Sequence, residues 1–312
     1  MPAAPPSGVW CPAVTFFDHA ADTLDLESQK RYDAYLSKTG LAGLVILGSN
    51  AEAFLLTREE RSALISTARE AVGPDFPLMA GCGAHSTKQV LELIDDAAKA
   101  GANYALVLPP AYYGPATTRP VLERFFADVA VASPLPIVLY NFPGVCNGVD
   151  LDSDLITQLA QAQPNIVGVK LTCGQVAKIT RLTAVLDPGR FATFGGQSDF
   201  LIGGLAVGSA GCIAAFANVF PKTIAHIYRL YHAGDVKEAL RLHRVAALAE
   251  SPCKAGIAST KYAAAIYAAK AAGIEGAEEK LRPRTPYEPP AEAVKAKIQA
   301  VMEGMAEIEA AI

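Results

Sequence analysis

Along this chain, short runs almost free of polar residues alternate with longer stretches whose apolar residues recur at helical spacing. The short runs cover residues 9–17, 43–48, 78–83, 104–109, 137–142, 166–171, 191–196 and 211–216. Each has the length of an ordinary strand, and most lack the alternation expected of a strand with one wet face. Strands covered on both faces look like this, as in a parallel sheet whose connections are helices.

Between these runs the spacing predicts helices over residues 58–72, 86–100, 118–132, 152–162, 175–186 and 221–232. The first begins after Thr57 with Glu60 three residues on, the pattern of a capping box. The second ends at Gly101, placed to take a left-handed C-terminal cap. Eight strands, each followed by a helix, favour a closed (β/α)₈ TIM barrel over an open doubly wound sheet, although strand count alone does not prove closure. Residues 239–249, 253–272 and 291–312 read as further helices, the last of them set off by a turn-rich segment at 282–290. The expected organisation is an α/β barrel domain over residues 1–250, with residues 251–312 as a C-terminal helical extension of that domain.

Composition narrows the partners. With 51% apolar and 19% charged residues among 312, a large core is available. The 27 basic residues do not outnumber the 31 acidic ones, so no basic excess exists to neutralise phosphates, and no nucleic-acid partner is expected. No apolar run approaches the ~20 residues of a membrane span, and the N-terminus lacks a secretory signal. A cytoplasmic protein without membrane association is the expectation. The six cysteines show no CxxC spacing, so neither zinc nor a disulfide framework is signalled.

In barrel enzymes chemistry gathers at the C-terminal ends of the strands. The polar residues there are Ser49 and Asn50 after the second run, Tyr112 and Tyr113 after the fourth, Tyr140 and Asn141 in the fifth, Lys170 in the sixth and Gln197 to Asp199 after the seventh. Lys170 is the most unusual, because it follows four residues with no polar side chain. It is either a rim lysine whose stem snorkels to water, or a desolvated amine able to attack a ketone and form an imine. Gly168 would leave room beside that amine for a small keto acid. Tyr140 reads either as a packed aromatic or as a proton shuttle with a relay to water. Ser49 and Asn50 could be no more than a turn or helix cap, and Tyr112 and Tyr113 an exposed interface patch. The histidines read as structural, with His85 near the mouth, and no ligand pair has metal spacing. Glycines at 195–196 and 208–211 could cradle a phosphate, but no P-loop or dinucleotide fingerprint is present. No cofactor and no metal are expected.

Together these residues resemble the dihydrodipicolinate synthase / N-acetylneuraminate lyase family over roughly residues 8 to 250. The resemblance rests on Gly48-Ser49-Asn50-Ala51-Glu52, Tyr140-Asn141-Phe142-Pro143 and Gly168-Val169-Lys170, in that order and on the right strands. It implies that Lys170 forms an imine with pyruvate while Tyr140 moves protons beside it. It further implies that Ser49 links Tyr140 to Tyr112 of a neighbouring subunit, that Ser49 and Asn50 hold the pyruvate carboxylate, and that Gly196 and the backbone of Ile213 line the site. A homo-oligomer, dimer or tetramer, follows from sharing Tyr112.

Two departures from the family pattern bear on function. Ala51 replaces a usual glycine, and Gly144-Val145-Cys146-Asn147-Gly148 carries no arginine where the synthases bind a second substrate. The sequence is similar to fungal aldolases of 2-keto-3-deoxy sugar acids, such as L-threo-3-deoxy-hexulosonate, and to 4-hydroxy-2-oxoglutarate aldolases. The expected activity is a Schiff-base lyase releasing pyruvate and an aldehyde. A dihydrodipicolinate-type condensation, a phosphate-binding barrel isomerase and a catalytically silent paralogue stay open as alternatives.

Overall fold

A computed structural model describes residues 2–312. Eight parallel strands close into a barrel: β1 Gly8–Pro12, β2 Gly43–Ile46, β3 Leu78–Gly81, β4 Tyr104–Val107, β5 Ile137–Asn141, β6 Ile166–Leu171, β7 Ala192–Gly195 and β8 Gly211–Ile213. Each pairs with its neighbour in the chain, and β1 pairs with β8, so no strand edge is left open. The sheet is thus a closed barrel and not an open doubly wound sheet.

The uniformly apolar strands still alternate, but between two destinations. Val138 and Tyr140 of β5, Phe194 of β7 and Ile213 of β8 belong to the cluster inside the barrel. Leu139, Val169, Leu171 and Cys212 join the larger cluster between strands and helices. Lys170, flanked by Val169 and Leu171, therefore faces inward. The floor of the barrel is plugged by Trp10, which meets Tyr104 and Phe194 edge-on at 6.3 Å in each case. Gly43 makes room for it, since a Cβ there would fall 2.3 Å from the indole.

The helices expected between strands are present as α2 Arg58–Val72, α3 Thr87–Lys99, α4 Arg119–Ala132, α5 Ser153–Ala162, α6 Val176–Thr183 and α8 Pro221–His232. The capping box at Thr57 and Glu60 forms in both directions. Two further helices, α1 Leu26–Leu36 and α7 Leu201–Ala206, lie where the spacing predicts none. In α1 the buried face includes Ser28, Gln29 and Asp33, so polar residues occupy core positions and blur the periodicity. Only six residues long, α7 carries two glycines.

β1 is shorter than the apolar run 9–17 suggests. Ala13 N–H still donates to Val45 of β2, but beyond it side chains replace the neighbouring strand: Val14 N–H donates to Asn218 Oδ1 and Phe16 N–H to Gln29 Oε1. Phe17–Asp18 then pairs with Thr23–Leu24 in a small hairpin. At the other end, α9 Val236–Glu250, the 3₁₀ turn Ser251–Ala255, α10 Ile257–Ala264 with a π-helical continuation at Ala265–Ala269, α11 Ala277–Lys280 and α12 Glu292–Ala311 follow the barrel. α12 packs on α8, α9 and α10. Its Glu309 accepts the N–H groups of Lys222 and Thr223 at the start of α8 at 2.9 and 2.7 Å.

Candidate active site

β5 and β6 run side by side in a register that sets Tyr140 directly against Lys170. Both side chains are buried, each 3% exposed. The Lys170 amine lies 4.2 Å from the centroid of the Tyr140 ring. Among the described residues, Lys170 makes no ion pair, unlike the buried Lys178 and Lys261, which reach Asp150 and Glu52. This burial excludes the reading of Lys170 as a solvated rim lysine.

After β2 the chain makes one 3₁₀ turn at Ser49–Ala51, which brings the Ser49 hydroxyl 3.5 Å from the Tyr140 hydroxyl. Ala51 and Glu52 N–H groups close that turn on the carbonyls of Gly48 and Ser49, leaving the N–H groups of Ser49 and Asn50 outside it. Ala51, in the place of a usual glycine, needs no left-handed backbone; Glu52 takes that conformation instead, at φ 56°. The Glu52 side chain turns inward to a buried ion pair with Lys261 of α10 and also accepts the Arg284 N–H at 2.8 Å. Burial pushes the Lys261 ammonium down to about 8, against the pull of the Glu52 charge. Arg61 of α2, also buried, donates to the carbonyls of Ala53 and Gly81 at 2.8 Å each, holding the same loop from below.

Gly196 follows β7, and its N–H donates to the carbonyl of Leu171 at 2.9 Å. A Cβ at Gly196 would fall 2.1 Å from Thr172 Oγ1, so the glycine there allows two strand ends to meet. Gly211 is likewise needed for closeness, with a hypothetical Cβ 2.0 Å from the carbonyl oxygen of Gly8. At both positions the glycine serves close packing of neighbouring strand ends. Ile213 is fully buried inside the barrel.

Tyr112 is not joined to Ser49 and Tyr140 within the chain. It is 75% exposed, with its ring 6.0 Å from His85 and 5.3 Å from Tyr113. With the exposed Phe54, which stacks on His85, these rings form an aromatic patch beside the mouth. The loop after β5 is tied down by Asn141, which donates to Asp150 at 2.6 Å, while Lys178 donates to the same carboxylate at 2.7 Å. Lys178, Lys261, Arg61 and Glu250 carry no signal in the sequence, because each is an ordinary charged residue on a helix until the fold buries it.

Comparisons with known proteins give the chain a family. The model described as the dihydrodipicolinate synthetase family matches residues 5–305. A Coccidioides immitis protein, named as a candidate mitochondrial 4-hydroxy-2-oxoglutarate aldolase, is 71% identical over 312 residues, covering 100% of this chain and 99% of its own. An L-threo-3-deoxy-hexylosonate aldolase of Hypocrea jecorina is 41% identical over 278 residues, 85% of this chain and 88% of its own. The crystal structure of a dihydrodipicolinate synthase family protein from Coccidioides immitis superposes with a TM-score of 0.94 at 69% identity, covering 99% of this chain and 98% of that one. The mitochondrial name corrects the expectation of a cytoplasmic protein. The free, mostly buried cysteines do not report a compartment. With a family match over nearly its whole length and the barrel, lysine and tyrosine in register, this chain belongs to the dihydrodipicolinate synthetase family.

Proposed function

We propose that the protein is a Schiff-base aldolase that cleaves a 2-keto-3-deoxy-4-hydroxy acid to pyruvate and an aldehyde. The observation that carries this reading is a buried lysine without an acidic partner, 4.2 Å from the ring of a tyrosine whose hydroxyl meets Ser49. In the reaction the Lys170 amine adds to the C2 ketone and water leaves, giving the imine. Tyr140 takes the C4 hydroxyl proton, the C3–C4 bond breaks and the aldehyde departs, with the imine accepting the electron pair as an enamine. A proton returned to C3 and hydrolysis then release pyruvate. Ser49 and Asn50 hold the carboxylate, for which their unused N–H groups are suited.

For the second half of the substrate, the charge pattern of the mouth supports a neutral hydroxyaldehyde, as in L-threo-3-deoxy-hexulosonate. The segments joining each strand to its following helix (13–25, 47–57, 82–86, 108–118, 142–152, 172–175, 196–200 and 214–220) contain no lysine or arginine. Lys254, which reaches the loop after β7, is paired with Asp199. Within these segments a second carboxylate, as in 4-hydroxy-2-oxoglutarate, would find no lysine or arginine, and the same holds for the dihydrodipicolinate-type condensation. Tyr112, exposed beside the mouth, is suited to donation into a neighbouring subunit, which makes the working form a homo-oligomer. Residues 251–312 belong with the barrel as one domain, a reading supported by the Glu52–Lys261 pair and by Glu309 on α8.

The test is incubation with pyruvate and borohydride, followed by peptide mapping. A reduced adduct on Lys170 is expected, and its absence sinks the mechanism. Condensation of pyruvate with glyceraldehyde should then exceed that with glyoxylate or aspartate semialdehyde; the reverse order would point to a different aldehyde half. A silent paralogue would give neither adduct nor product.

A further inference from the structure

The turn after β7 is held by a buried carboxylate from a distant helix. Ser198, only 1% exposed, is gripped at three points. Its hydroxyl donates to Glu250 Oε2 at 2.7 Å and its N–H to Glu250 Oε1 at 3.3 Å. Its carbonyl meets His243 Nε2 at 2.8 Å, which makes that nitrogen the donor. Glu250 and His243 both stand on α9, and Lys254, just beyond it, binds Gln197 and Asp199 on either side of Ser198. The same turn starts at Gly196, which is hydrogen-bonded to the residue following Lys170. Its exit from the barrel is therefore fixed next to the reactive amine, while its outer half rests on α9.

We propose that Glu250 is a positioning residue for the aldehyde half of the site, seating the Gly196–Asp199 turn through Ser198 so that this wall of the pocket keeps its shape. The inference rests on the aldolase reading above. Pyruvate is handled by Lys170, Tyr140 and the Ser49 turn, on strands that Glu250 does not touch. On this proposal the aldehyde half lies against the Gly196–Asp199 turn, whose outer residues Gln197 and Asp199 are held by Lys254. Loss of the seat thus separates the two half-sites. Burial pushes the Glu250 carboxyl up to about 7, although the Ser198 hydrogen bonds pull it down. The groups facing it are Ser198 and Asp199 on the turn, His243 on α9, Cys212 on β8, and Cys253 and Lys254 after α9. Below that pH the carboxyl gains a proton and its two bonds to Ser198 lose their charge assistance.

The experiment measures KM for pyruvate and for glyceraldehyde in the condensation direction, alongside borohydride trapping at Lys170. Glu250→Ala should raise the aldehyde KM about tenfold, the factor one lost charge-assisted hydrogen bond represents, with pyruvate KM and adduct yield within about twofold of the parent. Ser198→Ala, which removes one hydroxyl and keeps the fold, should raise it about threefold. Glu250→Gln retains one acceptor and gains a donor to the Ser198 hydroxyl. It should stay near the parent at pH 8 and show a flat aldehyde KM between pH 6 and 8, where the parent value rises toward acid. Aldehyde and pyruvate constants that move together, or an aldehyde KM unmoved in both alanine variants, overturn the proposal. Absence of the Lys170 adduct in the parent enzyme would instead overturn the aldolase reading itself.

Discussion

Two residues show how burial changes the meaning of a side chain. On the proposed aldolase mechanism Tyr140 moves protons and Lys170 forms the covalent bond, so the two functions can be separated. Tyr140→Phe should lower kcat by about 10²-fold or more while leaving a borohydride adduct on Lys170 detectable. Asp33 on α1 lies outside the site and is fully buried, with one oxygen bonded to Gln29 and the other without a hydrogen-bond partner among the described residues. Burial pushes its carboxyl up to about 8. The unfolded chain releases that proton near pH ~4, so folding takes up a proton between the two values. Stability contributed by the protonated form is full below pH ~4 and is lost as pH rises toward 8. Asp33→Asn keeps the shape of the protonated acid. It is expected to raise the melting temperature at pH 8 by at least about 3 °C and to leave it unchanged at pH 4.5. An equal shift at both values would remove the titration argument.

Among the elements, the loop after β2 depends on a helix more than two hundred residues away. Glu52 and Lys261 are both nearly inaccessible, so removing either leaves an unpaired charge in the core. Lys261→Ala should destabilise the fold by about 3–5 kcal/mol in a urea titration. The double variant Glu52→Gln/Lys261→Met should recover part of that loss, since replacing both charges avoids the orphaned one. Recovery of stability without recovery of kcat would show that the pair also sets the Ser49 turn. Much at this scale was legible in the sequence. The strands and the helix caps follow from local patterns, such as Thr57 and Glu60 at α2. The periodicity does not mark α1 because the polar Gln29 and Asp33 occupy its core face, where Gln29 binds the backbone of Val14 and Phe16 and Asp33 binds Gln29.

For the whole molecule, the exposed aromatic patch around Tyr112 carries the assembly prediction. Within one chain the hydroxyl pair Ser49–Tyr140 stops short of Tyr112, which is exposed. Lys170→Ala and Tyr112→Phe variants should each be weak or inactive alone. Mixed and reassembled, they should regain a measurable fraction of activity, because a hybrid holds a site with an intact Lys170 and a Tyr112 from the other subunit. No recovery, with mixed oligomers confirmed by native mass spectrometry, would mean that Tyr112 does not act between subunits.

By itself the sequence determined the barrel rhythm and singled out Lys170, Tyr140 and Ser49, while the burial of the lysine was left to the fold. These features are local: strand length, apolar runs and short motifs lie within a few consecutive residues. Only the tertiary structure decided that Tyr140 lies in register with Lys170, that the glycines at 196 and 211 serve close packing, and that Glu52, Lys178 and Glu250 become buried anchors. The reason is physical. Whether a charge is solvated or enclosed, and which partner it then requires, depends on residues that only the closed barrel brings together.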